Sequence, residues 1–253
     1  MLRRVVTAVI VAVIAFGFVE LGFWQLRRHT YFQAIKTSIE SRSGLPPAPI
    51  QGLLTPGFSP SMLEFRNVAL TGRYDPAREI ILADHPLDGV AGNHIVTPVR
   101  LDDGKAVLVD RGWIPLEDTT PPVADATPPS GTVTITAILM QTEHRGSLGP
   151  RLPATGTLAQ VFRIEIPRLQ QQMPYELYPM WVLLRSQQPA QLRPLPKIAP
   201  APSPTSSPPN LLYATQWFLF AAIGVFGYVF LLRKELRAPP VAAPAEADRA
   251  PIA

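Results

Sequence analysis

The sequence contains no cysteine. That excludes disulfide stapling, thiolate metal sites and cysteine nucleophiles together. Histidine is scarce, with four in 253 residues. Scattered singly, the four predict no dedicated zinc or copper site. Charge is thin as well, at 17% of residues. No G-x-S-x-G, no H-E-x-x-H and no phosphate-cradling glycine-rich loop occurs, and no pair of carboxylates stands out, so the reading is not an enzyme. The net charge of +4 comes with basic residues beside apolar runs. It reads as membrane topology and not as nucleic-acid binding.

What the chain does have is long apolar runs. Residues 211–232 read LLYATQWFLFAAIGVFGYVFLL and carry no charge. About twenty such residues cross a hydrocarbon core of ~30 Å as a helix. Arg233, Lys234 and Arg237 follow at once, and positive flanks favour the cytoplasmic side. This span is expected to end inside. A second run begins after the basic Met1–Arg4 segment, covers 5–26 and has Glu20 as its one charge. A signal peptide and a retained helix both fit it; the lack of a small-x-small cleavage site favours the helix. Arg3 and Arg4 oppose Arg27 and Arg28 across it, so the C-terminal span decides the orientation. Glu20 reads either as an intramembrane functional carboxylate or as a group reaching the interface.

Between the spans the pattern turns to strands. Residues 65–74, 79–84, 94–101, 105–114, 131–141 and 178–185 are short β runs. They are parted by turn signals such as Asp102-Asp103-Gly104. Pro115 is expected to end its strand, and 167–173 fits one short helix. Thirty prolines cluster in linkers and tails. The predicted architecture is an α+β membrane protein: two transmembrane helices flanking an antiparallel β-rich domain, barrel- or sandwich-like, outside the cytoplasm. Its parts are a cytoplasmic N-terminus 1–4, helix 5–26, β-rich domain 27–188, Pro-rich linker 189–209, helix 211–232 and a disordered cytoplasmic tail 233–253. N-terminus and C-terminus lie inside, the central domain on the outer face of the cell membrane.

Four stretches stand in order along this frame: LGFWQL at 21–26, FRNV at 65–68 with Gly72, VLVDRGWIP at 107–115 and YATQWF at 213–218. In this order and spacing, bracketed by two spans, they resemble the surfeit locus protein 1 family over about residues 15–235. The resemblance implies a membrane-anchored assembly factor for haem-copper cytochrome c oxidase, assisting delivery or insertion of haem a. The implied partners are the oxidase catalytic subunit, the haem a synthesis machinery and the lipid bilayer. A second reading is a membrane-anchored protein-binding or structural module without haem.

On this reading the outer helix ends carry the site. Trp24, Gln25, Arg27, Arg28 and His29 leave the first span, and Tyr213, Gln216 and Trp217 enter the second. Tyr213, Gln216 and Trp217 are spaced i, i+3, i+4 and share a helix face. Aromatic and amide walls suit a haem macrocycle, and arginines suit its propionates. The same aromatics also read as plain interfacial anchors. Bacterial members of the family often carry a histidine shortly before this tyrosine; here Asn210 stands there, so a bound haem would take its ligand from His29 or from an outside partner. Arg111, Gly112 and Trp113 read either as a structural corner or as a partner-docking surface.

Overall fold

The computed structural model describes residues 2–147, 149–193, 195–196 and 210–237. The Pro-rich linker beyond residue 196 and the tail beyond Arg237, both expected from the sequence, lie outside the described residues. The chain divides into two compact units. One holds the two chain ends, 1–33 and 206–253; the other is 34–205.

The first unit is an antiparallel pair formed by α1, Leu2–Ser43, as far as residue 33, and α5, Asn210–Arg237; the last turns of α1 belong to the second unit. Both are long and apolar enough to cross a membrane. The apolar pattern alone ends the first span at about Leu26. The structure shows one unbroken helix instead, because neither glycine nor proline interrupts residues 23–43. Ala15 and Gly22 are buried on α1, with Ala8, Phe18, Gln25 and His29 half-buried on the same stripe. Ala8, Ala15, Gly22 and His29 recur every seven residues, the spacing of a helix-packing seam. The α5 stripe is Asn210, Ala214 and Ala221, all buried, with Trp217 and Phe218 half-buried. Small residues let helices approach where lipid supplies no hydrophobic drive. A Cβ added at Gly22 would lie 2.6 Å from the Phe218 ring. The Phe18 and Trp217 rings stack at 5.5 Å. At the other end Tyr228 donates to the Arg4 carbonyl at 2.9 Å, and Arg4 meets Glu235 at 3.3 Å. Off the seam, Val9, Val13, Phe16, Leu219, Phe226 and Phe230 stay exposed.

The second unit is a five-stranded barrel with additions. After β1, Ala48–Pro49, come the short helices α2, Ile50–Leu53, and α3, Pro60–Leu63. The strands follow as β2, Asn67–Tyr74; β3, Ile80–Leu82; β4, Gly92–Leu101; β5, Ala106–Pro115; β6, Thr132–Gln141; β7, Gln160–Val161; and β8, Met180–Gln188, with α4, Ile166–Leu169, before the last. The sheet order is β1-β2-β6-β8-β5-β4-β3-β7, and an added β2–β4 pairing closes it. The ring is therefore β2-β6-β8-β5-β4, a barrel and not a sandwich. Four of its five pairings are antiparallel, but β5–β8 is parallel. The all-antiparallel expectation is corrected there. A parallel pairing needs a long crossover, and residues 116–179 supply it with β6, β7 and α4.

Val68, Leu70, Val99, Val107, Val109, Ile135, Leu139 and Val182 fill the interior. Alternate residues of the same strands, Val96, Leu108, Ile138 and Leu183, pack outward under α4 together with Ile39 of α1. Both faces of β5 are thus buried, which is why it reads as a nearly continuous apolar run. Gly72 sits where β2 leaves β6 and pairs with Leu101 of β4.

Candidate functional site

Three places in the structure carry unusual chemistry. The first is the end of the helix seam that carries Gln25, His29 and Asn210, where the pairing of Gly22 with Phe218 sets the register. Counting outward, Gln25 and His29 on α1 come level with residues 210–215 on α5. Gln25, His29, Trp217 and Asn210 lie on the seam. Trp24, Arg27, Arg28, Tyr213 and Gln216 face outward and are exposed. The Arg28 guanidinium rests over the Trp24 ring at 5.2 Å and the Phe32 ring at 5.6 Å, a cation–π arrangement. Two buried polar atoms on the seam have no partner: Gln25 Oε1 and Asn210 Nδ2. Buried polar groups are nearly always hydrogen-bonded, so a lone acceptor and, about five residues further along the seam, a lone donor mark places where a ligand or water belongs. Asn210, only 2% exposed, joins the site although in sequence it reads only as a missing imidazole.

The second place is the Asp110–Trp113 corner. Ile95 pairs with Gly112 and Val96 with Asp110, so Arg111 is the extra residue of a β-bulge. The bulge turns the Arg111 side chain inward, where none of it reaches solvent. Its Nη1 donates to Glu79 Oε2 at 3.0 Å and to Thr97 Oγ1 at 3.2 Å. Its Nη2 donates to the Ala126 carbonyl and, at 2.9 Å, to Gln191 Oε1. The Tyr74 ring lies 5.5 Å from the guanidinium. Glu79 also accepts from Thr97 Oγ1 at 2.7 Å and from the Val123 N–H at 2.8 Å. Burial pushes the Glu79 carboxyl up and the Arg111 guanidinium down, while the donors and the opposite charge pull each back. Burial likewise raises the Tyr74 phenol against the opposing pull of Arg111. Gly112 takes a φ of +132°, and a Cβ there would lie 2.7 Å from the Pro196 carbonyl oxygen. Of the three residues read as a corner or a docking surface, Arg111 and Gly112 are buried building elements, and only Trp113 is partly exposed.

The third place lies at the same bulge. Asp110 Oδ1 accepts from the Gly112 N–H at 3.0 Å, and Oδ2 accepts from His94 Nδ1 at 2.8 Å. The His85 ring lies 4.9 Å from that of His94, centre to centre, and its Nδ1 donates to the Ala83 carbonyl at 2.7 Å. The sequence offered no sign of this pair. The two histidines stand nine positions apart in sequence, and only the β3–β4 hairpin brings them together.

The SURF1 family pattern matches residues 12–222. The chain belongs to the SURF1 family. The match runs through the seam and the whole barrel. An uncharacterised SURF1-like protein of Mycobacterium tuberculosis is 28% identical over 236 residues, 91% of this chain and 83% of that one. A SURF1-like protein of Dictyostelium discoideum is 30% identical over 107 residues, covering 40% of this chain and 38% of the relative. The cytochrome oxidase assembly protein SHY1 of Saccharomyces cerevisiae is 32% identical over 102 residues, 40% of this chain and 26% of its own. The chain thus spans well under half the length of the last two. In SURF1-family terms, both the Gly72 barrel closure and the bulge at Arg111 fall inside the matched residues.

Proposed function

We propose that this SURF1-family chain is a membrane-anchored, non-enzymatic factor in the assembly of cytochrome c oxidase. It works beside the catalytic subunit and the haem a synthesis machinery. Its helices span the cell membrane with both ends inside and the barrel outside, held by Arg233, Lys234 and Arg237. A reporter fused after Arg237 is expected to be active only in the cytoplasm and one inserted at residue 200 only outside; the reverse pattern rejects the orientation.

The seam carries the haem part of the proposal through one observation, the unpartnered Gln25 Oε1 and Asn210 Nδ2. These atoms are suited to polar groups at a haem edge. His29, on the same seam, offers an imidazole for iron, and Arg27 and Arg28 offer donors to propionates. Trp217 supplies an aromatic wall on the seam, whereas Trp24, Tyr213 and Gln216, expected to share that role, face outward beside it. When bound, haem a would bring the redox-active iron that the oxidase needs; the chain's own part is to hold it and keep it apart from water.

Pigment retention in a haem a-producing host tests this. Wild type should keep a Soret band through detergent exchange, His29→Ala should lose or shift it, and Asn210→His should raise occupancy. Full occupancy with an unchanged maximum in His29→Ala removes His29 as ligand. The second reading, a partner-binding role without haem, draws on Asn210, whose amide is a poor iron ligand where an imidazole was expected. Co-purification with oxidase subunits and no pigment in any variant would establish it.

A further inference from the structure

We infer that His85 and His94 form a second site, on the barrel, that binds one divalent first-row metal ion of the zinc or copper type. The case begins with tautomers. A carbonyl and a carboxylate oxygen can only accept, so the contacts to Ala83 and Asp110 fix the proton on Nδ1 of each ring. The lone pair of each neutral imidazole is then on Nε2. Neither Nε2 has a hydrogen-bond partner among the described residues. A histidine ligand typically donates its other N–H to a carboxylate or a backbone carbonyl, and both arrangements occur here side by side.

The spacing agrees. Two imidazoles bound through Nε2 to one tetrahedral ion, at ~2.0–2.1 Å each, place their ring centres about 5 Å apart. The observed separation is 4.9 Å, with the rings inclined by 53°. Asp110 is itself held by the Gly112 N–H, so the bulge orients the His94 ring. An independent feature adjoins the pair. Trp113 stands directly across from His94 in the β4–β5 register, and its Nε1–H is buried with no acceptor. A Cβ on Gly92 would lie 2.3 Å from that nitrogen, so only glycine admits the indole there. An unpartnered N–H beside two free lone pairs suits an ion that carries its own water or hydroxide. Among the described residues no cluster of three or more His, Cys, Asp or Glu could hold a metal. The chain therefore provides two ligands and leaves the rest of the coordination shell open to water or to a donor from a partner. Imidazole nitrogens favour copper and zinc over magnesium or calcium.

Tag-free full-length protein in detergent, equilibrated with Zn2+ and separately with Cu2+ against a competing chelator, tests the site. Wild type should bind one ion per chain. His85→Ala and His94→Ala should each abolish binding, Asp110→Asn should weaken it about 10–100-fold, and His144→Ala should leave it unchanged. X-ray absorption should count two imidazoles on the ion. If the buried His94 variant fails to fold, the half-buried His85 carries the test. No stoichiometric binding by wild type, or undiminished binding by His85→Ala, overturns the inference.

Discussion

Arg111→Ala should cost the barrel about 3–5 kcal/mol, the usual loss when one partner of a buried ion pair is removed. A domain of this size is stable by only ~5–15 kcal/mol, so the full-length protein should show a sharply lowered denaturation midpoint and poor accumulation. The reason lies in what stays behind. Glu79, with 1% of its side chain exposed, would keep only the Thr97 hydroxyl and the Val123 N–H. The Ala126 carbonyl and Gln191 Oε1 would lose their donors inside the protein. Arg111→Lys should recover little, because a single ammonium cannot reach Glu79, Ala126 and Gln191 at once. Removing both charges in Arg111→Met with Glu79→Leu should recover much of the loss, since the penalty comes from the orphaned charge. A midpoint for Arg111→Ala within ~1 kcal/mol of wild type would show that the network contributes little.

Gly72→Val is expected to prevent barrel closure. Its Cβ would lie 2.3 Å from the Arg100 carbonyl oxygen and 2.8 Å from a Val99 methyl. The first is backbone in a strand paired on both sides, so it cannot move aside as a flexible side chain would. Overpacking usually costs ~1–3 kcal/mol and more where the backbone must shift; a loss of at least about 3 kcal/mol is expected. Gly52→Ala is the matched control, because nothing lies within 4 Å of a Cβ there, and its midpoint should stay within ~0.5 kcal/mol of wild type. Equal midpoints for the two variants would mean that β2 and β4 need no glycine to meet.

Much of this fold was legible in the residues. The six β runs fall on β2, β3, β4, β5, β6 and β8 to within about two or three residues at each end, because Val, Ile and Thr alternation and turn glycines are local signals. Pro115 does close β5. The two-residue strands β1 and β7 were not legible, since each exists only through one parallel partner. Nor was the parallel β5–β8 pairing, which joins Val109 to Val182 and leaves no trace in either segment alone. At the helix ends the chemistry of Trp24, Gln25 and Tyr213 was visible, but which of them face the partner helix was not. That depended on the Gly22–Phe218 contact. The Asp-Arg-Gly-Trp run was noticeable as a motif; only the register shift revealed that its arginine points inward.

The same parallel pairing imposes an order in time. Strand β8 sits between β6 and β5, yet it is the last strand to be synthesised. Until residues 180–188 emerge, every earlier strand of the ring can pair with its neighbours, but β5 and β6 each keep one open edge. Unpaired edges invite association with other chains, and long-range pairing of this kind forms slowly. A growing chain therefore carries two adhesive edges from the completion of β6 at Gln141 until β8 arrives, and β8, ahead of α5, removes both at once.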